Sequence, residues 1–219
     1  GAGLDLAHFR RWYGQAGTPR VGARLQRSAE GDVMLHLSQS VPPTPGQQNK
    51  QPMQIPLRIK LFDPNGNSPA AAEQLILLDA AEQTVACGQF GAMPLLSFNR
   101  GFTAPVIADV SREPGDLAWL AAHDDDPFAR YEALQALMLE TLVSRLAGEA
   151  RPHDAVVAAV GNLLERWAED PAFAAEAAML PSESFVGDQM LVVDPDLIRL
   201  ERRALQRAIA QAHEPSLRD

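Results

Sequence analysis

The sequence has very little cysteine, no long apolar run and no excess of positive charge, and each shortage excludes a class of protein. Cys87 is the one cysteine among 219 residues, so neither an internal disulfide framework nor a multi-cysteine zinc site can form. No apolar run reaches the roughly 18 residues that a membrane-spanning helix needs. The first residues lack the charged and then apolar pattern of a signal peptide, so we do not expect one here. With a net charge of −9, a basic nucleic-acid-binding surface is not expected.

Charged residues, glycine and proline are distributed unevenly along the chain. Residues 1–115 carry 10 basic and 9 acidic side chains, whereas residues 116–219 carry 9 basic and 19 acidic ones. Glycine and proline together fall from 23 in the first part to 9 in the second. This contrast predicts an α+β fold with two segregated parts, a turn-rich β region followed by an acidic helical region.

Short segments with alternating hydrophobicity predict a β-sandwich in the first part. Ile55, Leu57, Ile59 and Leu61 share one face of a strand that ends at the turn signal Asp63-Pro64-Asn65-Gly66. A long proline-rich connection is expected from Val41 to Pro52. The other six predicted strands lie at Val21–Gln26, Val33–Ser38, Leu75–Leu78, Thr84–Cys87, Leu95–Asn99 and Val106–Val110.

Helical periodicity predicts a series of short-linked helices in the second part, beginning near Glu113 or Asp116. The first long helix runs from Pro127 to Gly148, with Asp126 as N-cap and apolar residues at 128, 131, 134, 138, 142 and 146. Further helices are expected at Val156–Trp167, Pro171–Met179, Ser182–Gln189 and Asp194–Ala212. In the last of these, we expect Leu197, Leu200, Ala204, Ala208 and Ile209 on the apolar face. The array would be an α-solenoid or a bundle.

The residues offer little support for a metal site. The histidines are His8, His36, His123, His153 and His213, and no two of them are four positions apart. His213-Glu214 begins a His-Glu-x-x-His motif, but Leu217 stands where its second histidine should be. The most metal-like cluster is His123 beside Asp124, Asp125 and Asp126, for which we favour an acidic loop leading into a helix cap. His36 is expected to be an outward-facing polar residue on a strand.

Nucleophilic and phosphate-binding sites are not indicated either. There is no Gly-x-Ser-x-Gly motif, and Cys87 is expected to be a buried, inert thiol on a strand. Gly14, Gly17 and Gly22 lack the spacing of a dinucleotide-binding fingerprint. From the residues alone, we therefore predict no catalytic, cofactor-binding or metal-binding residue in this chain.

A series of short segments resembles bacterial aminopeptidase N, a family of zinc-dependent aminopeptidases with four domains. The most specific segment is His8-Phe9-Arg10-Arg11-Trp12-Tyr13 followed by Gln15 and Gly17-Thr18-Pro19. The other matches, in the same order as in the family, are Thr44-Pro45, Lys50-Gln51-Pro52, Ile55-Pro56, Glu82-Gln83-Thr84, Phe102-x-Ala104-Pro105-Val106, Asp126-Pro127-Phe128-x-Arg130-Tyr131-x-Ala133-x-Gln135, Leu180-Pro181-Ser182 and Asp194-Pro195.

The resemblance implies that the chain is a fragment of a larger enzyme. In it, residues 1–17 would be a connecting helix from the catalytic domain, residues 18–112 an immunoglobulin-like β-sandwich, and residues 113–219 the first part of a truncated helical domain. The family's zinc motif, anchoring loop and catalytic tyrosine are missing. Gly91-Ala92-Met93 imitates the loop but continues with Pro94, and Tyr13 and Tyr131 fall in structural segments.

The resemblance further implies a cytoplasmic zinc metalloaminopeptidase in which this part is non-catalytic. Its partners would be the remaining domains of the same polypeptide, with peptide substrates only in the intact enzyme and neither nucleic acid nor membrane. On one side of the matched helix, Phe9, Trp12 and Tyr13 would form an aromatic anchor. Two alternatives remain, a free-standing immunoglobulin-like and helical protein-binding module, and an independent metal-dependent enzyme that uses His123.

Overall fold

The computed structural model describes residues 6–65, 71–112 and 115–214. The chain forms two compact units, Gly1–Glu113 and Pro114–Asp219, which are described separately below. Among the described residues, no helix is both long enough and apolar enough to cross a membrane.

The first unit is a sandwich of two β-sheets, and all seven predicted strands are present. The strands are β1 Arg20–Arg27, β2 Asp32–Ser40, β3 Ile55–Phe62, β4 Gln74–Leu78, β5 Glu82–Gln89, β6 Leu95–Phe98 and β7 Ile107–Val110. One sheet has the order β5-β2-β1-β7 and the other the order β4-β3-β6. Neighbouring strands are antiparallel except β1 and β7, which pair in parallel.

The core of the sandwich is built from the alternating apolar positions that the sequence predicts. Leu35 and Leu37 point inward from β2, and Ile55, Leu57 and Ile59 point inward from β3. All five are buried, as the period of two residues in a strand requires. His36 faces outward between them, and its Nδ1 lies 3.0 Å from Thr84 Oγ1 on β5, which confirms its predicted position.

A buried glutamine closes the edge of this core. Gln39, near the end of β2, donates from Nε2 to the carbonyl oxygens of Met53 and Ala80, each at 2.9 Å. Its Oε1 accepts from the Met53 amide at 2.7 Å. One side chain thereby fixes the end of the irregular connection that follows β2 and the turn that follows β4. The sequence analysis missed this residue.

The turn after β6 is held in an uncommon backbone conformation. Asn99, Gly101 and Phe102 all have positive φ, at 52°, 60° and 51°. Positive φ is disfavoured for most residues other than glycine, although asparagine tolerates it better. Asn99 stabilises the turn, since its side chain accepts from the Ala104 amide at 3.1 Å and donates to the Ala104 carbonyl at 3.0 Å.

The second unit is an array of helices. After the short α1 of the first unit, Arg11–Gly14, the helices are α2 Asp116–His123, α3 Pro127–Leu146, α4 Asp154–Glu165, α5 Pro171–Ala177, α6 Glu183–Gly187 and α7 Pro195–His213. Each helix predicted for the second part is therefore present, whereas the connecting helix predicted over residues 1–17 is an α-helix only from Arg11 to Gly14 among the described residues. The start suggested at Glu113 lies outside the described residues, and α2 begins at the alternative, Asp116.

Side-chain caps determine where most of these helices begin. Asp126, Asp170 and Asp194 are the N-caps of α3, α5 and α7, and each is followed by proline at the first helical position. Their carboxylates accept hydrogen bonds from backbone amides of the first turn, as in Asp126 Oδ1 with the Ala129 amide at 2.8 Å. Proline fits there because the amide hydrogen that it lacks would have no partner within the helix.

The predicted apolar face of α7 is wrong by about one residue. Ile198 and Leu205 are the buried side chains of this helix, while Leu200 is 61% exposed. Ile198 and Leu205 are seven positions apart and so share a face. The error arose because apolar residues stand on both sides of the true face, and periodicity alone does not say which side packs. In α3, similarly, Phe128 and Tyr131 are only half-buried, whereas Ala129 and Ala133 are buried.

Candidate functional site

The acidic cluster near His123 forms the entrance to α3. His123 stacks on Trp119 and its Nδ1 lies 2.9 Å from the Trp119 carbonyl oxygen. Asp124 is buried and its Oδ1 accepts from the Asp126 amide at 2.9 Å, while Asp126 is the helix cap. Within residues 6–65, 71–112 and 115–214, no group of three or more histidine, cysteine, aspartate or glutamate side chains could hold a metal ion.

The remaining predicted candidates also occupy structural positions. Cys87 is half-buried on β5 rather than fully buried, because only part of its side chain is covered by the core. Burial raises the pKa of its thiol, so the thiol stays protonated at neutral pH. Gly91-Ala92-Met93 forms the bend before β6, as predicted. His213 Nε2 lies 2.8 Å from the Val157 carbonyl oxygen, which links the end of α7 to α4; Leu217 lies outside the described residues.

The aminopeptidase-like segment at residues 8–19 is fastened to the proline-rich connection. Arg11 Nη1 donates to the Pro52 carbonyl at 2.5 Å, and Trp12 Nε1 donates to the Gln54 carbonyl at 2.8 Å. The indole of Trp12 also packs against the sandwich core. Gln15 completes this side of the segment, since it accepts from the Gln51 amide at 2.6 Å and donates to the Gln51 carbonyl at 2.9 Å.

The connection contributes reciprocal hydrogen bonds to the same segment. Gln47 accepts from the Ala16 amide at 2.8 Å and donates to the Gly14 carbonyl at 2.9 Å. Lys50 Nζ donates to the Ala16 carbonyl. The segment and the connection are thus joined by hydrogen bonds from side chains of each to the backbone of the other. Residues 11–16 and 47–54 therefore form one layer on the sandwich. We call these two stretches the N-terminal clasp.

The exposed side of the segment at residues 8–19 carries an aromatic pair. Phe9 and Tyr13 are 46% and 83% exposed, with their rings in edge-to-face contact at 5.9 Å between centroids. Leu6, 50% exposed, lies one turn earlier in sequence. The expected anchor of Phe9, Trp12 and Tyr13 is therefore divided. Trp12 packs against the sandwich core. Because successive helical residues are about 100° apart, its neighbour Tyr13 is turned away from the core and, with Phe9, faces outward.

The matched residues of the helical unit join helices to one another. Gln135 on α3 donates to the carbonyl oxygens of Ala177 and Met179 at the end of α5, at 3.2 and 2.9 Å. Arg202 on α7 donates to the Pro181 carbonyl at 2.7 Å. Burial raises the pKa of Tyr131, with smaller contributions from Glu176 and Glu132, so its hydroxyl is neutral at physiological pH. These positions have structural roles in the described fold.

Protonation of His153 should lower the stability of the helical unit in acid. Burial of the ring, together with the charge of Arg145, lowers its pKa below 6.5 in the folded chain, against smaller opposing effects of Glu201 and Asp154. Its Nε2 is buried without a hydrogen-bond partner among the described residues. Arg145 is held beside it by Glu201, at 2.5 Å between Nε and Oε2.

We therefore expect the free energy of unfolding to fall as the pH drops below about 6.5, because the unfolded chain then binds a proton that the folded chain does not. The replacement His153→Gln should remove that part of the pH dependence and leave stability at pH 8 nearly unchanged. Urea unfolding of both proteins between pH 5 and 8, followed by circular dichroism, measures this. Identical pH slopes for the two proteins would contradict it.

The two parts of the chain match two protein-family descriptions. Residues 17–111 match "Domain of unknown function (DUF3458) Ig-like fold", and residues 114–219 match "Domain of unknown function (DUF3458_C) ARM repeats". The two parts therefore match an Ig-like fold and an ARM-repeat helical fold, which confirms the predicted fold class. ARM repeats are stacked helices of the solenoid type, one of the two predicted alternatives.

The particular relatives are bacterial aminopeptidases, which confirms the resemblance stated from the sequence. The chain is 31% identical to aminopeptidase N of Escherichia coli K12, 30% to that of Haemophilus influenzae and 37% to that of Caulobacter vibrioides, over 94–95% of its length. It spans about a quarter of the length of each of these relatives.

A solved structure shares the fold over nearly the whole chain. The crystal structure of Legionella pneumophila aminopeptidase A in complex with aspartic acid superposes with a TM-score of 0.82 at 22% identity, covering 98% of this chain and 24% of that one. This likeness shows a shared fold, and the chain spans about a quarter of the length of that protein.

Proposed function

We propose that this chain is a non-catalytic part of a zinc metalloaminopeptidase that removes N-terminal amino acids from peptides. In this proposal, residues 1–17 connect to the catalytic domain, residues 18–112 form a spacer, and residues 113–219 belong to the helical domain that covers the active-site chamber. The observation that carries the proposal is the similarity to aminopeptidase N over 94–95% of the chain. The enzyme would be cytoplasmic.

The N-terminal clasp supports the connecting role. One side of the matched segment is bonded to the sandwich through Arg11, Trp12 and Gln15, and the other side exposes Phe9 and Tyr13. A domain that packed on the exposed aromatic pair would be fixed in orientation relative to the sandwich, because the clasp leaves little freedom between the two sides. The partners proposed are the remaining domains of the same polypeptide, and peptide substrates would bind only to the intact enzyme.

The residues of this chain do not fit a zinc site. No two histidines have the spacing of a His-Glu-x-x-His motif. The described residues contain no group of three metal-ligating side chains. Zinc would accordingly be held elsewhere in the larger enzyme, and the contribution of this part would be to exclude bulk water and folded proteins from the chamber rather than to carry out chemistry.

The reading frame of the gene upstream of Leu4 tests the proposal directly. We expect a long open reading frame that encodes His-Glu-x-x-His, because the relatives are four times as long as this chain. A start codon immediately before Leu4 would overturn the proposal and support the free-standing protein-binding module.

An activity assay tests the non-catalytic role separately. We expect the purified chain to release no alanine or arginine from chromogenic N-terminal substrates, with or without added zinc, because no metal-ligating group is assembled in its described residues. Zinc-dependent turnover that is lost in His123→Ala would contradict this and support the independent enzyme. His36→Ala, at an outward-facing, half-buried position on β2, is the matched control.

A further inference from the structure

A small cavity in the helical unit contains an arginine whose hydrogen-bonding capacity the protein does not satisfy. The cavity has a volume of about 210 Å³ and lies among α2, α3, α4 and α5. Arg130 on α3 lines it, and the Arg130 Nε–H is buried without an acceptor among the described residues. Buried donors of this kind are rare in native proteins, because a donor that loses water without gaining an acceptor lowers the stability of the fold.

Aromatic packing holds the guanidinium of Arg130 in place. Its Cζ lies 5.0 Å from the ring centroid of Phe173 on α5, a cation–π contact that covers one face of the group. The planar edge of a guanidinium is the part that donates hydrogen bonds, and its fork matches the two oxygens of a carboxylate. With one face covered by Phe173, fewer orientations remain open to the guanidinium of Arg130, which lines the cavity.

The acidic side chains of the cavity already have partners of their own. Glu169 pairs with Arg166, with its Oε2 at 2.9 Å from Arg166 Nη2. This hydrogen bond is the main reason why the pKa of Glu169 is lowered, and the charge of Arg130 contributes in the same direction. Asp170 caps α5, accepting from the Phe173 amide at 3.0 Å. Of the two arginines in the lining, Arg130 therefore makes no direct ion pair with a carboxylate among the described residues, although its charge acts on Glu169 from a greater distance.

We propose that this cavity binds a small monocarboxylate through Arg130. Two arginines, Glu169 and Asp170 give the lining a formal charge of zero, which favours a singly charged ligand over a phosphate dianion. Ala121, Ala122 and Phe173 form apolar walls suited to a short aliphatic group. Because residues 116–219 carry ten more acidic than basic side chains, the surrounding field repels anions, and saturable binding must come from the local site.

The test is a titration of the intact chain observed through its arginine side-chain ¹H–¹⁵N NMR signals. Sodium propionate and L-alanine serve as free carboxylates, and N-acetyl-aspartate amide represents an aspartate side chain of another polypeptide segment. We expect a saturable shift of the Arg130 Nε–H signal with a Kd on the order of 1 mM, and a smaller response to phosphate. Sodium chloride at equal ionic strength controls for screening.

Two variants and a matched control identify the site. Arg130→Met should abolish the saturable response, and Arg130→Lys should weaken it, because lysine keeps the charge but lacks the planar fork. Arg207→Met removes an exposed arginine of the same unit and should leave binding unchanged. In the unaltered chain, ligand at ten times Kd should also raise the folded-to-unfolded ratio about tenfold.

Comparing the affinities of the three probes shows whether the natural carboxylate belongs to a free small molecule or to a protein side chain. Tighter binding of propionate or alanine indicates a free small molecule, whereas tighter binding of the blocked aspartate indicates a side chain of another segment. The proposal is overturned if none of the three carboxylates gives a saturable shift in the unaltered chain, or if Arg207→Met loses binding as fully as Arg130→Met does.

Discussion

Replacing Gln39 with alanine should lower the free energy of unfolding of the sandwich by about 2–4 kcal/mol. The side chain makes three short hydrogen bonds, two to Met53 and one to Ala80, in a region closed to water. Its removal leaves the buried Met53 amide without an acceptor and opens a void. Urea titration, followed by amide NMR signals of β2 and β3, reports the sandwich separately from the helical unit.

Two further variants separate the possible causes of this loss. Gln39→Leu fills the volume but cannot bond, so we expect it to be nearly as unstable as Gln39→Ala. Gln26→Ala, at an exposed position on β1, should change stability by less than about 0.5 kcal/mol. Recovery of stability in Gln39→Leu would show that filled volume, rather than the hydrogen bonds, is what matters.

The second large effect is expected in the N-terminal clasp, where Trp12→Ala should destabilise the sandwich by about 2–4 kcal/mol. Trp12 packs against the core and bonds to the Gln54 carbonyl at 2.8 Å, so both contributions disappear together. Truncation of fully buried tryptophan costs about 3–5 kcal/mol, and a half-buried one should cost somewhat less. The same urea titration measures the loss.

Tyr13→Ala is the matched control, since it removes the neighbouring aromatic side chain, which is 83% exposed. We expect a change below about 0.5 kcal/mol, because no core contact is lost. Equal destabilisation by Trp12→Ala and Tyr13→Ala would contradict the division of the segment into a bonded and an exposed side. It would also remove the structural support for the proposed connecting role of Phe9 and Tyr13.

Local sequence signals predicted the secondary structure well. The alternation in Ile55, Leu57, Ile59 and Leu61 defines β3, because residues two apart in a strand face the same side whatever they pack against. Asp126-Pro127 marks the start of α3 for an equally local reason, since the carboxylate bonds to amides within the same turn. The fold class followed from such signals together with the shift in composition near residue 115.

The side chains that join distant segments could not be predicted in this way. Nothing in the neighbourhood of Gln39 distinguishes it from the exposed Gln26, because its partners are 14 and 41 positions away. Arg130 stands among other charged residues of a helix, and the cavity around it exists only because α2, α4 and α5 pack nearby. Its candidate site was accordingly absent from the sequence predictions.

The sequence by itself determined where the strands lie and where the helices start, and that a β-sandwich precedes a helical array. It also showed that a His-Glu-x-x-His motif is lacking and that the chain resembles aminopeptidase N. Tertiary structure decided which face of α7 is buried, that Trp12 packs on the sandwich core while Tyr13 is exposed, and that Arg130 lines a cavity. The physical reason is that strand and helix periods depend on neighbouring residues, whereas burial depends on which surface another element covers.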